Sequence, residues 1–147
     1  MKVFLFDFDG VITDTLPIAV EVYNQMMEKY AVSFRFTPQS FADLFLDNFH
    51  KGLSEAIPDS AVREKILKEK NAEYERRKDD FRIFDGVKEM LFDLSKVGKM
   101  IIISSNGTNF IKALLQSRGI DSFDEVLGGD IEKSKVKKIN WQKEKYL

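Results

Sequence analysis

Three short apolar runs punctuate the chain, and each closes on small or acidic residues. The first extends from Val3 to Phe8 and ends in acids and Gly10, a pattern that predicts a strand buried on both faces of a parallel sheet. Asp14 or Thr15 can cap the helix that follows, with Pro17 in its first turn, and Leu16, Val20, Tyr23, Met27 and Tyr30 recur at helical spacing. A connector spans 31–36. Residues 38–58 predict one or two short helices broken at Gly52 and Pro58, and Asp59 or Ser60 caps a charged helical stretch from Ala61 to about Lys78.

The character changes at Phe81. Asp85–Gly86 precedes a helix whose Val87, Met90, Leu91 and Leu94 form one stripe, and Gly98 ends it. Met100–Ile103 predicts a second buried strand, from which Ser104–Asn109 turns into a helix carrying Ile111, Leu114 and Leu115, with Gly119 near its end. Glu125–Leu127 predicts a third strand closed by Gly128–Gly129. From Ser134 a last helix is expected, with Val136, Ile139 and Lys143 at helical spacing.

Strand–helix alternation of this kind implies crossover connections and a parallel sheet, so the fold class is α/β. Residues 16–80 read as an all-helical module inserted after the first strand, set apart from a core of 1–15 and 81–147. Ligands of open parallel sheets bind beyond the carboxyl ends of the strands. Asp7–Asp9, Ser104–Asn106 and Gly128–Asp130 all lie at such ends.

Composition removes several alternatives. The 147 residues carry a net charge of −1, which argues against a nucleic-acid binder. Without cysteine there is no disulfide framework and no thiolate metal site. The apolar run at the N-terminus is too short for a signal-peptide core or a membrane span, so the expectation is a cytoplasmic protein with no membrane partner. Lysines 133, 135, 137, 138, 143 and 145 crowd the tail and read first as a solvated helix face.

Asp7 and Asp9 stand two apart at a strand end, so the pleat turns both to one side and Phe8 to the other. Such a pair suits two-step displacement: one carboxylate attacks, and the other protonates the leaving group and then activates water. Gly10 allows a sharp turn that brings N–H groups near a bound anion. Acids in this position can also serve simply as helix caps.

The stretch FLFDFDGVITDT resembles the first motif of the haloacid dehalogenase superfamily, and the likeness extends along the whole chain, closest to its phosphoglycolate phosphatase-like branch. The resemblance implies a three-layer, Rossmann-like core with a small helical cap at 16–80 that closes over the site and selects the substrate. It makes Asp7 the nucleophile that forms an aspartyl-phosphate and Asp9 the general acid/base. MIIISSN resembles the second motif, which holds the phosphoryl group through Ser104 or, less favoured, Ser105, with Asn106 and the following N–H groups lining the cradle. VLGGDIEKSKVKK resembles the third, where Lys133 is the first choice for the charge-neutralising lysine and Lys135 the second. Mg²⁺ is the implied cofactor, held by Asp7 and Asp9, and a small phosphorylated metabolite is the implied partner.

The fourth motif of that superfamily, Gly-Asp-x-x-x-Asp, is not found before Leu147, and Gly129–Asp130 lies in the place of the third. The core is therefore expected to be incomplete, with impaired turnover and an exposed first strand open to homodimerisation. A catalytically silent binding protein and a sugar phosphomutase are the alternatives. His50 is expected to pack or face solvent, while Arg35, Lys51 and Arg63 are unranked candidates for substrate contacts. A response-regulator receiver is disfavoured by the large insert and by the second Asp.

Overall fold

The computed structural model describes residues 1–147, which divide into two compact units: 1–14 with 82–147, and 15–81. The first unit is built on a parallel sheet of β1 (Lys2–Phe6), β4 (Gly98–Ile103) and β5 (Glu125–Leu127), in the order β1-β4-β5. The register pairs Lys2 with Gly98 through Phe6 with Ile102, and Ile101 with Glu125 through Ile103 with Leu127. Right-handed crossovers between parallel strands need connecting helices. Here α5 (Val87–Ser95) leads into β4 and α6 (Thr108–Ser117) joins β4 to β5, while α7 (Lys135–Tyr146) follows β5.

The core of this unit is the β4 run Met100–Ile103 with Phe8, Ile12, Leu91, Ile111 and Leu114, all buried. Burying side chains of this size contributes roughly 1.5–3 kcal/mol each. A two-stranded antiparallel ribbon, β2 (Thr13–Asp14) with β3 (Arg82–Ile83), joins the two points where the chain passes between units. Strands this short leave no readable periodicity in the sequence.

Three expectations need correction. β1 is not buried on both faces, because Leu5 is 40% exposed; its place at the sheet edge, paired only with β4, is the one expected of it. The stripe expected on α5 is narrower, because Leu91 is buried whereas Met90 is 42% exposed. On α7 the inward face is polar: Lys138 and Gln142 are buried and Val136 faces solvent.

The second unit is helical: α1 (Leu16–Lys29), α2 (Pro38–Asp43), α3 (Phe49–Ala56) and α4 (Ser60–Arg76), then a 3₁₀ turn at Lys78–Asp80. Thr37, Asn48 and Asp59 accept N–H groups at the starts of α2, α3 and α4. Gly52 does not break α3. It lies inside the helix against Leu44, where a Cβ would come 2.9 Å from a Leu44 methyl. Tyr23 centres an aromatic cluster, meeting Phe36, Phe41 and Phe49 with ring centroids 5.2–6.3 Å apart. Such pairs add about 0.5–1.5 kcal/mol beyond area burial. Lys70 is buried with its ammonium 4.7 Å from the Tyr74 ring centroid, so the inner face of the charged α4 is Ile66, Lys70 and Tyr74.

No helix is long and apolar enough to cross a membrane. The α5 correction predicts that Leu91→Ala lowers stability by about 2–5 kcal/mol and Met90→Ala by less than about 0.5 kcal/mol. Urea denaturation of the two variants checks this, and equal losses would contradict the placement of α5.

Candidate functional site

The parallel register carries the ends of β1 and β4 to the same edge of the first unit, and the chemistry collects there. Past Phe6 the chain turns tightly on one acceptor: the Phe8 carbonyl takes the N–H groups of Ile12 at 2.9 Å and Thr13 at 3.2 Å. Gly10 sits at φ +75°, in the left-handed region open to glycine, and its N–H donates to Thr13 O. Phe8, in the bend that follows β1, points into the core, edge-on to Phe110 with centroids 6.4 Å apart, while Asp7 and Asp9 on either side of it are half-buried.

Each carboxylate has its own partners. Asp7 Oδ1 accepts the Phe8 N–H at 2.8 Å, and Lys135 Nζ donates to Oδ2 at 2.6 Å. Asp9 is held from β4: Ser104 Oγ lies 3.4 Å from Oδ2, and Asn106 Nδ2 donates to Oδ1 at 3.2 Å. The Ser104 hydroxyl also accepts the Asn106 N–H at 3.0 Å, which fixes the turn that leaves the strand. Ser104 is therefore the serine that faces the acids.

Two expectations about the lysines change here. Lys133 is exposed, and Lys135 is the residue against Asp7. Ser134 explains the exchange: its side chain accepts the Lys137 N–H and starts α7, so Lys135 occupies the first turn and points back to the strand ends. The tail is also more than a solvated face, because Lys138 is fully buried. Its ammonium donates to the carbonyls of Ser104 at 2.6 Å, Gly128 at 3.2 Å and Leu127 at 3.3 Å. Burial pulls the Lys138 pKa down to about 8, with repulsion from Lys135 adding to the shift. Its three-residue spacing from Lys135 was the sequence signal, because that spacing places both lysines on one helix face.

Asp130 is a cap. Its Oδ1 accepts the Thr108 N–H at 2.7 Å and the Thr108 hydroxyl at 2.9 Å, at the start of α6, where Gly107 has no side chain to do so. Burial alone would raise the Asp130 pKa, but the two Thr108 donors and the Lys138 charge hold it below the ordinary carboxylate value. Gly128 makes this approach possible. A Cβ there would fall 2.5 Å from Thr108 Oγ1 and 2.6 Å from Asn106 O.

No group of three or more acidic, histidine or cysteine side chains gathers as a metal cage. Asp7 and the backbone carbonyl of Asp9 still suit Mg²⁺, which commonly takes one or two protein carboxylates and keeps several waters. A cleft of about 630 Å³ between α6 and β5, lined by Lys112, Gln116 and Asp124 among others, contains none of the acids described above.

Asp130→Ala is predicted to cost about 1 kcal/mol at neutral pH by uncapping α6. The carboxylate form is favoured in the fold, so its contribution is full above the unfolded value near 3.9 and fades as pH falls through the lower folded value. Thermal melts of wild type and variant should therefore converge in acid, and a gap that persists at pH 2 would contradict the cap.

Comparison with known proteins finds likenesses in sequence family and in fold. A family model described as haloacid dehalogenase-like hydrolase covers residues 4–140. Among solved structures, a protein assigned as a haloacid dehalogenase-like hydrolase from Bacteroides fragilis is 21% identical with a TM-score of 0.78, over 96% of this chain and 72% of its own. A predicted phosphoglycolate phosphatase from Haemophilus somnus is 19% identical with a TM-score of 0.68, over 91% of this chain and 64% of its own. A Thermotoga maritima protein assigned as a β-phosphoglucomutase is 26% identical with a TM-score of 0.56, over 91% and 64%. No curated protein sequence matches the chain.

Proposed function

The chain belongs to the haloacid dehalogenase-like hydrolase family, and on that premise we propose that it hydrolyses a small phosphomonoester through Asp7. The observation that carries this reading is the gathering of both acids at one strand end, with Lys135 on Asp7 and with Ser104 and Asn106 on Asp9. Lys135 orients Asp7, as a nucleophile needs, while its remaining N–H bonds are available to a phosphoryl oxygen. Asp9, two residues on and held by Ser104 and Asn106, is the acid left to move the proton.

In the first step an Asp7 oxygen attacks phosphorus, the ester P–O bond breaks, and Asp9 protonates the departing alkoxide. In the second, water attacks the aspartyl-phosphate, Asp9 takes its proton, and Asp7 is released with inorganic phosphate. The Ser104 hydroxyl and the backbone after it receive the non-bridging oxygens, and Asn106 keeps Asp9 aimed at the leaving group. Mg²⁺, held by Asp7 and the Asp9 carbonyl, would supply neutralisation of the phosphate charge. The helical unit acts as a cap that selects the substrate, which is a small phosphorylated metabolite.

The Haemophilus and Thermotoga neighbours, named for a phosphatase and a phosphomutase, differ in the acceptor of the phosphoryl group. Release of inorganic phosphate, as against an isomeric sugar phosphate, decides between water and sugar.

With p-nitrophenyl phosphate and magnesium chloride, Asp7→Asn is expected to lower kcat by at least about 10³-fold. Activity that survives this change would remove Asp7 from the mechanism. Lys135→Met is expected to cost about 10²–10³-fold and Lys133→Met no more than about twofold. The reverse order would return the third-motif role to Lys133.

A further inference from the structure

Lys138 is a fully buried charge with three acceptors, all of them backbone carbonyls at the ends of β4 and β5. A buried ammonium is costly unless its donors are satisfied, and here each has a carbonyl. The position of those carbonyls matters more than their number. In a trans peptide the C=O and N–H point in opposite directions, and the chain contains no cis bond. Lys138 holds Ser104 O at 2.6 Å on the inner side, which directs the Ser105 N–H outward. None of the hydrogen bonds of this turn uses that N–H.

The loop ends are also bound to each other. Gly129 donates to Asn106 O at 2.8 Å, Gly128 donates to Thr108 Oγ1 at 3.1 Å, and Ser104 donates to Leu127 O at 3.0 Å. Lys138 binds the inner carbonyls of both loops at once. Leu127 O also has the Ser104 N–H and Gly128 O the Ile131 N–H at 3.3 Å, so Ser104 O is the carbonyl that depends on Lys138. Without that ammonium it would be a buried acceptor, and its negative end would oppose an anion arriving at the same strand end.

We propose that Lys138 is a positioning residue for the phosphoryl group: by holding the Ser104, Leu127 and Gly128 carbonyls it presents the Ser105 N–H, beside the Ser104 hydroxyl, to a phosphate oxygen. This rests on the phosphatase reading of the site. Lys138 does not touch the reacting atoms. Lys135 contacts Asp7 from the first turn of α7, and Lys138, one turn later, binds the loops that leave β4 and β5.

The test is a titration of the full ¹⁵N-labelled chain with inorganic phosphate and magnesium chloride, followed by amide chemical shifts. In the wild type, the Ser105 amide is expected to move most. Lys138→Met is expected to weaken phosphate binding at least about tenfold, the loss of roughly one charge-assisted hydrogen bond at the site. Lys137→Met, the same charge removed from the exposed face of α7, should stay within about twofold.

Unchanged affinity in Lys138→Met, equal losses in both variants, or a Ser105 amide that stays still while its neighbours move would each overturn the assignment. Should the Met variant fail to fold, Lys138→Gln is measured by the same criterion. Failure of both to fold makes Lys138 a stability residue only and also overturns its positioning role. If no wild-type amide moves, the phosphatase reading falls and this inference with it. That outcome is distinct from a wild type that binds and a Lys138 variant that binds equally well.

Discussion

The parallel pairing of β1 with β4 fixes where the chemistry can occur. Lys2 opposite Gly98 and Phe6 opposite Ile102 bring two strand ends to one level, so Asp7 and Asp9 emerge beside Ser104 and Asn106. A slip of one residue would turn Phe8 outward and both acids into the core. Phe8 against Phe110 and the buried Ile101–Ile103 resist that slip through apolar burial alone. The hydrophobic interior thus sets the geometry of charges that lie outside it.

Around that edge the chain divides its polar work among close neighbours. Lys135 serves Asp7, Ser104 and Asn106 serve Asp9, and Asp130 serves the start of α6. Lys138 donates its hydrogen bonds to backbone carbonyls. Its lowered pKa is the electrostatic consequence of placing a second ammonium near Lys135 in a dry position. Gly128 keeps the two loops close enough for one side chain to reach both.

Much of this was legible in the sequence where a physical period or a strand end marked it. The alternation of apolar runs and helical stripes gave the parallel α/β arrangement, and the spacing of Asp7 and Asp9 around an apolar Phe8 gave their common direction. The choice of lysine was not legible, because six lysines in fifteen residues carry no contrast. It depended on where Ser134 starts α7, a matter of one residue in helix phase. Lys138 was hidden for the related reason that an inward-facing lysine contradicts the usual apolar stripe. The ribbon of β2 and β3 is too short to leave a pattern.

The central claim is that Asp7, rather than Asp9, takes the phosphoryl group. Borohydride added during turnover of p-nitrophenyl phosphate reduces an acyl phosphate on aspartate to homoserine, which peptide mass spectrometry can locate. Homoserine at position 7, dependent on substrate and magnesium, is the predicted result. Homoserine at position 9, or turnover that leaves both aspartates unmodified, would contradict the account.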